Sequence, residues 1–151
     1  DFIQTAKKQH PENAQYYSAE AQIYDKLGQN EKAKESYKAA IEREPDLFMA
    51  LYNLGVLYFN EGVDIVSKAN QTKDDAEYKK LRDQANEKFM KAIPYMERAL
   101  DVKPDETNVL NTLKTLYYRL RTVDPKYVDK YKEVNSKLKE LNEGSGQSSE
   151  N

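Results

Sequence analysis

The sequence predicts an all-α chain built as a stack of antiparallel helix pairs, and three observations carry this. Gly and Pro number only five each among 151 residues, while Lys, Glu, Ala, Leu and Tyr abound, which is a helix-forming composition. Apolar residues recur every three or four positions, as in Tyr127, Tyr131, Val134, Leu138 and Leu141, the spacing of one helix face. The chain is also self-similar at a period of 34: Tyr17 falls on Leu51, Tyr24 on Tyr58, Gly28 on Gly62, Ala6 on Ala40 and Pro11 on Pro45. Such units cannot bury their apolar faces alone and must stack.

The second half of the second unit is displaced. Ala33, Ala40 and Pro45 reappear at Ala92, Ala99 and Pro104, an offset of 59, which is the period of 34 plus an insertion of 25. Leu51 to Leu110 and Tyr58 to Tyr117 keep the same offset, so the register resumes after the insertion. Tyr17, Ala21, Tyr24, Ala33, Tyr37, Ala40 and Pro45 in one unit, and Leu51, Leu54, Gly55, Tyr58, Ala92, Met96, Ala99 and Pro104 in the next, agree in type and spacing together. This pattern resembles the tetratricopeptide repeat family over roughly residues 1–122. The resemblance implies a right-handed superhelical stack, an α-solenoid. Small residues at Ala21, Gly55, Ala33 and Ala92 would let paired helices approach closely, with Tyr and Leu filling the seam. Glu20 departs from the pattern, which favours Leu there.

Each element follows from this register. Residues 1–9 read as the end of the second helix of a preceding repeat, with Phe2, Ile3 and Ala6 facing inward and Pro11 closing the unit at residue 11. The repeat over 14–47 supplies helices near 14–27 and 30–43, with Gly28 in the turn. The repeat over 48–106 begins with a helix from about 47 to 70. A polar break at Asn70, Gln71 and Thr72 follows, and a helix starting at Asp74–Asp75 runs to about 102. An insertion split evenly would lengthen each helix by nearly 20 Å at ~1.5 Å per residue. Val63, Val66 and Ala69 can pair with Tyr78, Leu81 and Ala85, which predicts an overhanging antiparallel hairpin. The unit over 107–142 starts with Leu110, Leu113 and Tyr117, then carries Lys126 and Glu133 where small residues belong. Pro125 opens a final capping helix. A flexible tail is expected over 143–151.

Charge excludes some functions. A net charge of −2 and a pI near 5.6 argue against non-specific nucleic-acid binding, which needs a basic excess. No segment approaches the roughly 20 apolar residues of a membrane span. The absence of cysteine removes thiolate metal sites and thiol catalysis. His10 is the only histidine and suits a helix C-terminus; Asp74, Asp75, Asp105 and Glu106 suit helix N-termini better than metal sites. No glycine-rich loop could cradle phosphate. No catalytic residue, metal ligand or cofactor is predicted.

The resemblance implies where a partner would sit. In this family the first helices of successive repeats line a concave surface that receives an extended or helical peptide. The matching positions are Met49, Tyr52, Val56, Phe59 and Asn60 in the second repeat. In the first they are Gln15, Ser18, Gln22, Asp25 and Lys26, and in the third Asn108, Asn111, Thr115, Tyr118 and Arg119. An apolar strip flanked by polar amides suits a peptide groove; it suits equally well packing against neighbouring helices. The cationic carboxylate clamp of one subclass is missing, since Ser18, Gln22, Asn108 and Thr112 occupy its places. The expected function is therefore a non-enzymatic scaffold for protein or peptide partners, without nucleic acid or membrane insertion. The alternatives are a structural or oligomerisation module using the long hairpin or the N-terminal edge, with self-association over that edge, and an accessory domain of a larger enzyme. Resemblance to bacterial repeat proteins leaves cell envelope and cytoplasm both open.

Overall fold

Helix boundaries follow from local chemistry. A computed structural model describes residues 2–146, and every regular element among them is a helix: α1 (Phe2–Gln9), α2 (Ala14–Lys26), α3 (Asn30–Arg43), α4 (Phe48–Ala69), α5 (Asp75–Val102), α6 (Thr107–Leu120) and α7 (Lys126–Gly146). The first orphan N–H groups of three helices find side-chain acceptors. Asn13 accepts from the Gln15 amide at 3.0 Å, Asp74 from Glu77 at 2.7 Å and Asp124 from Lys126 at 3.0 Å. This is the structural role expected for Asp74. Helix α2 ends on Gly28 at φ 70°. The Gly28 amide donates to the Asp25 carbonyl and that of Gln29 to Tyr24, a Schellman closure that glycine accommodates without strain.

Each helix packs chiefly on its neighbours in sequence, α2 on α3, α4 on α5 and α6 on α7, with α3–α4 and α5–α6 joining the pairs. This is an α-solenoid. The predicted seam is its core: Ala21, Ala33, Ala92, Leu51, Leu54 and Met96 have no exposed surface, and Tyr58 is buried. Gly55 and Gly62 set the approach of α5. A Cβ on Gly55 would stand 2.8 Å from Met96 Cε, and one on Gly62 would stand 2.4 Å from the Phe89 ring. The repeat register pairs Gly62 with the turn residue Gly28, yet Gly62 lies inside α4, and its use is to admit Phe89.

The inserted residues are divided unevenly. Helix α4 has 22 residues against 13 in α2, and α5 has 28 against 14 in α3. At ~1.5 Å per residue the overhangs are roughly 13 Å and 21 Å, not equal. Ala69 and Ala85 are buried in the hairpin and Val63 and Val66 pack against the core, but Tyr78 is exposed. Helix α7 runs through Gly146, four residues into the expected tail. Ser145 donates to the Leu141 and Asn142 carbonyls, satisfying acceptors of the last turns. Residues 147–151 lie outside the described residues.

Two buried charge clusters tie the pairs together. The Glu20 carboxylate, where the pattern favours Leu, accepts from Lys7 at 2.8 Å, Gln4 at 2.6 Å and Ser36 at 2.7 Å, joining α1, α2 and α3. Burial pushes its pKa up, but the hydrogen bonds from Lys7, Ser36 and Gln4 outweigh that and hold it below the usual carboxylate range. Lys34 is buried as well. It pairs with Glu61 at 2.5 Å and Glu31 at 2.7 Å, and Lys88 reaches Glu61 at 2.8 Å. Burial again opposes the charges and pairing prevails, so Lys34 titrates above its ordinary value and Glu61 below.

Candidate functional site

The strip on α4 is graded from open to half-closed. Met49 is 48% exposed, and Asn60 is exposed. Tyr52, Val56 and Phe59 are half-buried against the core. Tyr52 stacks on Phe48 one helical turn earlier, with ring centroids 5.9 Å apart, and the Lys103 ammonium sits 4.3 Å from the Phe48 ring. Phe59 tilts onto buried Phe89 at 5.8 Å. In the first repeat Gln15, Gln22, Asp25 and Lys26 are exposed, but Ser18 is buried and presents nothing to a groove.

On α6, Tyr118 is 50% exposed and Arg119 is half-buried, its guanidinium 5.3 Å from the Phe89 ring. Buried Phe89 of α5 therefore lies against both Phe59 of α4 and Arg119 of α6. Met49 stands ten residues from Phe59 along the helix, roughly 15 Å away, at the other end of the strip.

Beside Tyr118 opens a cleft of about 740 Å³ lined by α5, α6 and α7. It includes Asn111, Thr115, Tyr118 and Arg119, all matched to the groove by register, and adds Arg82, Lys114, Arg121 and Tyr131. Sequence reasoning missed those four. Arg82 comes from the insertion, for which the repeat supplies no register. Lys114 carried a usable signal: offsets of 34 and 59 place Ala21, Gly55 and Lys114 at one position. Lys126 and Glu133, expected where small residues belong, are both exposed, and Tyr127, Val134 and Leu138 are the residues that α7 buries instead. Half-buried Lys114 lines the cleft. Below it the Tyr117 hydroxyl donates to Glu97 at 2.7 Å, and Lys130 pairs with the same carboxylate. Burial, reinforced by Glu97, pushes the Tyr117 hydroxyl well above its ordinary pKa.

The arrangement offers aromatic faces, amides and cations on a helical frame. A family model described as "TPR repeat" matches residues 21–62, from mid-α2 to Gly62. A crystal structure of a TPR repeats protein from Bacteroides fragilis NCTC 9343 superposes with a TM-score of 0.62 at 32% identity, covering 68% of this chain and 48% of that one. This chain belongs to the tetratricopeptide repeat family. A curated relative, the photosystem I assembly protein Ycf3 of Acaryochloris marina, is 33% identical over 94 residues, 62% of this chain. The chain spans half the length of that relative. Tetratricopeptide repeats mediate protein–protein interaction or assembly. No helix among the described residues is long and apolar enough to cross a membrane.

Proposed function

We propose that this chain is a non-enzymatic scaffold that receives a peptide or protein surface along the face formed by α4 and α6. The observation that supports it most is the pair of groups Met49, Tyr52, Val56 and Phe59 on α4 and Tyr118 and Arg119 on α6, joined beneath the surface by Phe89, with Met49 and Tyr118 half exposed. Half-exposed aromatics on a rigid helix are suited to anchor a partner, because little side-chain entropy remains to be lost. Asn60 and Asn111 add amide groups at the rim. A role in assembly, for which the Acaryochloris relative is named, is compatible with such a face.

Capture of partners from the source organism's extract by immobilised protein tests this. Met49→Ala and Tyr52→Ala are expected to weaken capture by roughly 2 kcal/mol or more if they are anchors. Both should leave the melting temperature nearer wild type than Tyr58→Ala does, since Tyr58 is buried. Phe59→Ala is the less clean variant because Phe59 also supports Phe89. Capture undisturbed by both substitutions, with the fold intact, would remove the face from consideration. A second reading has one observation in its favour: Phe2 is 82% exposed on α1, beside half-buried Ile3. Capture or self-association that survives the α4 substitutions and is lost in Phe2→Ser would assign the contact to the N-terminal edge.

A further inference from the structure

The cleft is cationic in a chain that is not. Arg82, Lys114, Arg119 and Arg121 line it, and no Asp or Glu does, although the chain carries a net charge of −2. None of these four forms an ion pair with a carboxylate among the described residues. Glu97, Glu61 and Asp124 are paired with other groups: Glu97 with Lys130 and Tyr117, Glu61 with Lys34 and Lys88, Asp124 with Lys126. Crowding like charges around one concavity is unfavourable for the fold and is relieved by an anionic ligand.

The guanidinium groups are held by their faces. Arg121 lies 3.6 Å from the Tyr118 ring centroid and donates to the Tyr118 carbonyl. Arg119 lies over Phe89, and its Nε is buried without a hydrogen-bond partner among the described residues. A guanidinium stacked on a ring keeps an N–H edge for a planar, bidentate acceptor, which a carboxylate is. Arg82 brings a third fork from the inserted overhang. Tyr118 and Tyr131, tilted together at 5.7 Å, give an extended chain a surface to rest on between charges.

We infer that this cleft docks an acidic peptide segment, rich in Glu or Asp side chains, with the overhang of α5 as one wall. The inference rests on the scaffold reading above and adds the chemistry of the partner. A nucleic acid is the less fitting polyanion, since backbone binding needs a basic track that follows many phosphates, and here four cations are gathered in one concavity.

Fluorescence anisotropy with a labelled oligo-glutamate peptide tests it, against an oligo-glutamine peptide of equal length and an oligo-thymidine. The oligo-glutamate is expected to bind, to bind more weakly as salt rises, and to bind more tightly than either control. Lys114→Glu with Arg121→Glu should weaken it roughly tenfold, since each reversal turns a modest attraction into a repulsion of similar size. Lys79→Glu, on the exposed side of the hairpin, should leave it within about twofold. Circular dichroism melting checks folding. Should the double reversal unfold the protein, Lys114→Gln with Arg121→Gln is expected to lose about threefold. Equal binding of glutamate and glutamine peptides, affinity indifferent to the cleft substitutions, or tighter binding of oligo-thymidine would each overturn the inference. If partner capture fails in Tyr52→Ala while the charge reversals leave it unchanged, the scaffold reading stands and the acidic-ligand inference falls alone.

Discussion

At the scale of single residues, two helical glycines, Gly62 in α4 and Gly144 in α7, illustrate why space and not propensity decides a substitution. Alanine exceeds glycine in a helix by about 1 kcal/mol, so glycine to alanine at an open position should stabilise. Gly144, with nothing within 4 Å of an added Cβ, is such a position near the end of α7. Gly62 is not, because the new methyl would meet the edge of the fully packed Phe89 ring at 2.4 Å. The ring cannot yield without moving α5, and overpacking costs about 1–3 kcal/mol. We expect Gly62→Ala to lower the denaturation midpoint in urea and Gly144→Ala to leave it unchanged or raise it. Gly55→Ala should fall between them, since it meets the flexible end of Met96 at 2.8 Å. A Gly62→Ala protein as stable as the Gly144→Ala protein would mean that α4 and α5 are less closely packed than described.

At the scale of elements, the polar joint between α1, α2 and α3 makes stability depend on pH. Glu20 is ionised more readily in the fold than in the unfolded chain, whose value lies near 4.5. Its contribution is therefore fully present above that value and is lost as pH falls through the lowered native one. Wild-type melting temperature should drop on the acid side of 4.5, and Glu20→Gln should show a shallower acid limb. At neutral pH the variant should be less stable by about 1–3 kcal/mol, because Lys7 loses its partner. Acid limbs of equal slope would place the effect in other carboxylates. This joint also marks how far the sequence could be read. The register assigned Tyr37, Leu51, Leu54, Tyr58, Ala92 and Met96 to the core, because their positions are dictated by helical spacing and a period of 34. Glu20 stood out as a departure, but nothing local showed that Lys7, Gln4 and Ser36 would converge on it. The cleft was half legible: Tyr118 and Arg119 follow from the register, whereas Arg82 and Tyr131 arrive from elements whose lengths the repeat does not fix.

At the scale of the whole molecule, stability is distributed between neighbours. Extensive packing joins only helices adjacent in sequence, so each helix is secured by one or two others. Helix α1 has eight residues and buries only Ala6, while α4 and α5 share the longest interface. Hydrogen exchange read by mass spectrometry should show α1 losing protection first, and the α4–α5 pair should be among the last to do so. Uniform protection from α1 through α5 would mean the stack opens as one unit. The turns between repeats are fastened individually as well: Arg43 donates to the Pro11 carbonyl at 2.6 Å, Arg98 to the Pro45 carbonyl at 2.8 Å, and Lys137 pairs with Asp105 at 2.9 Å.

Those three fastenings give the molecule a mechanical character. Each clips a turn to a helix further along the chain, so tension applied between the ends must release the clips one after another. Under a pulling force the chain is therefore expected to lengthen in steps and to shorten again on relaxation, which single-molecule force measurements would read; a single all-or-none extension would contradict this.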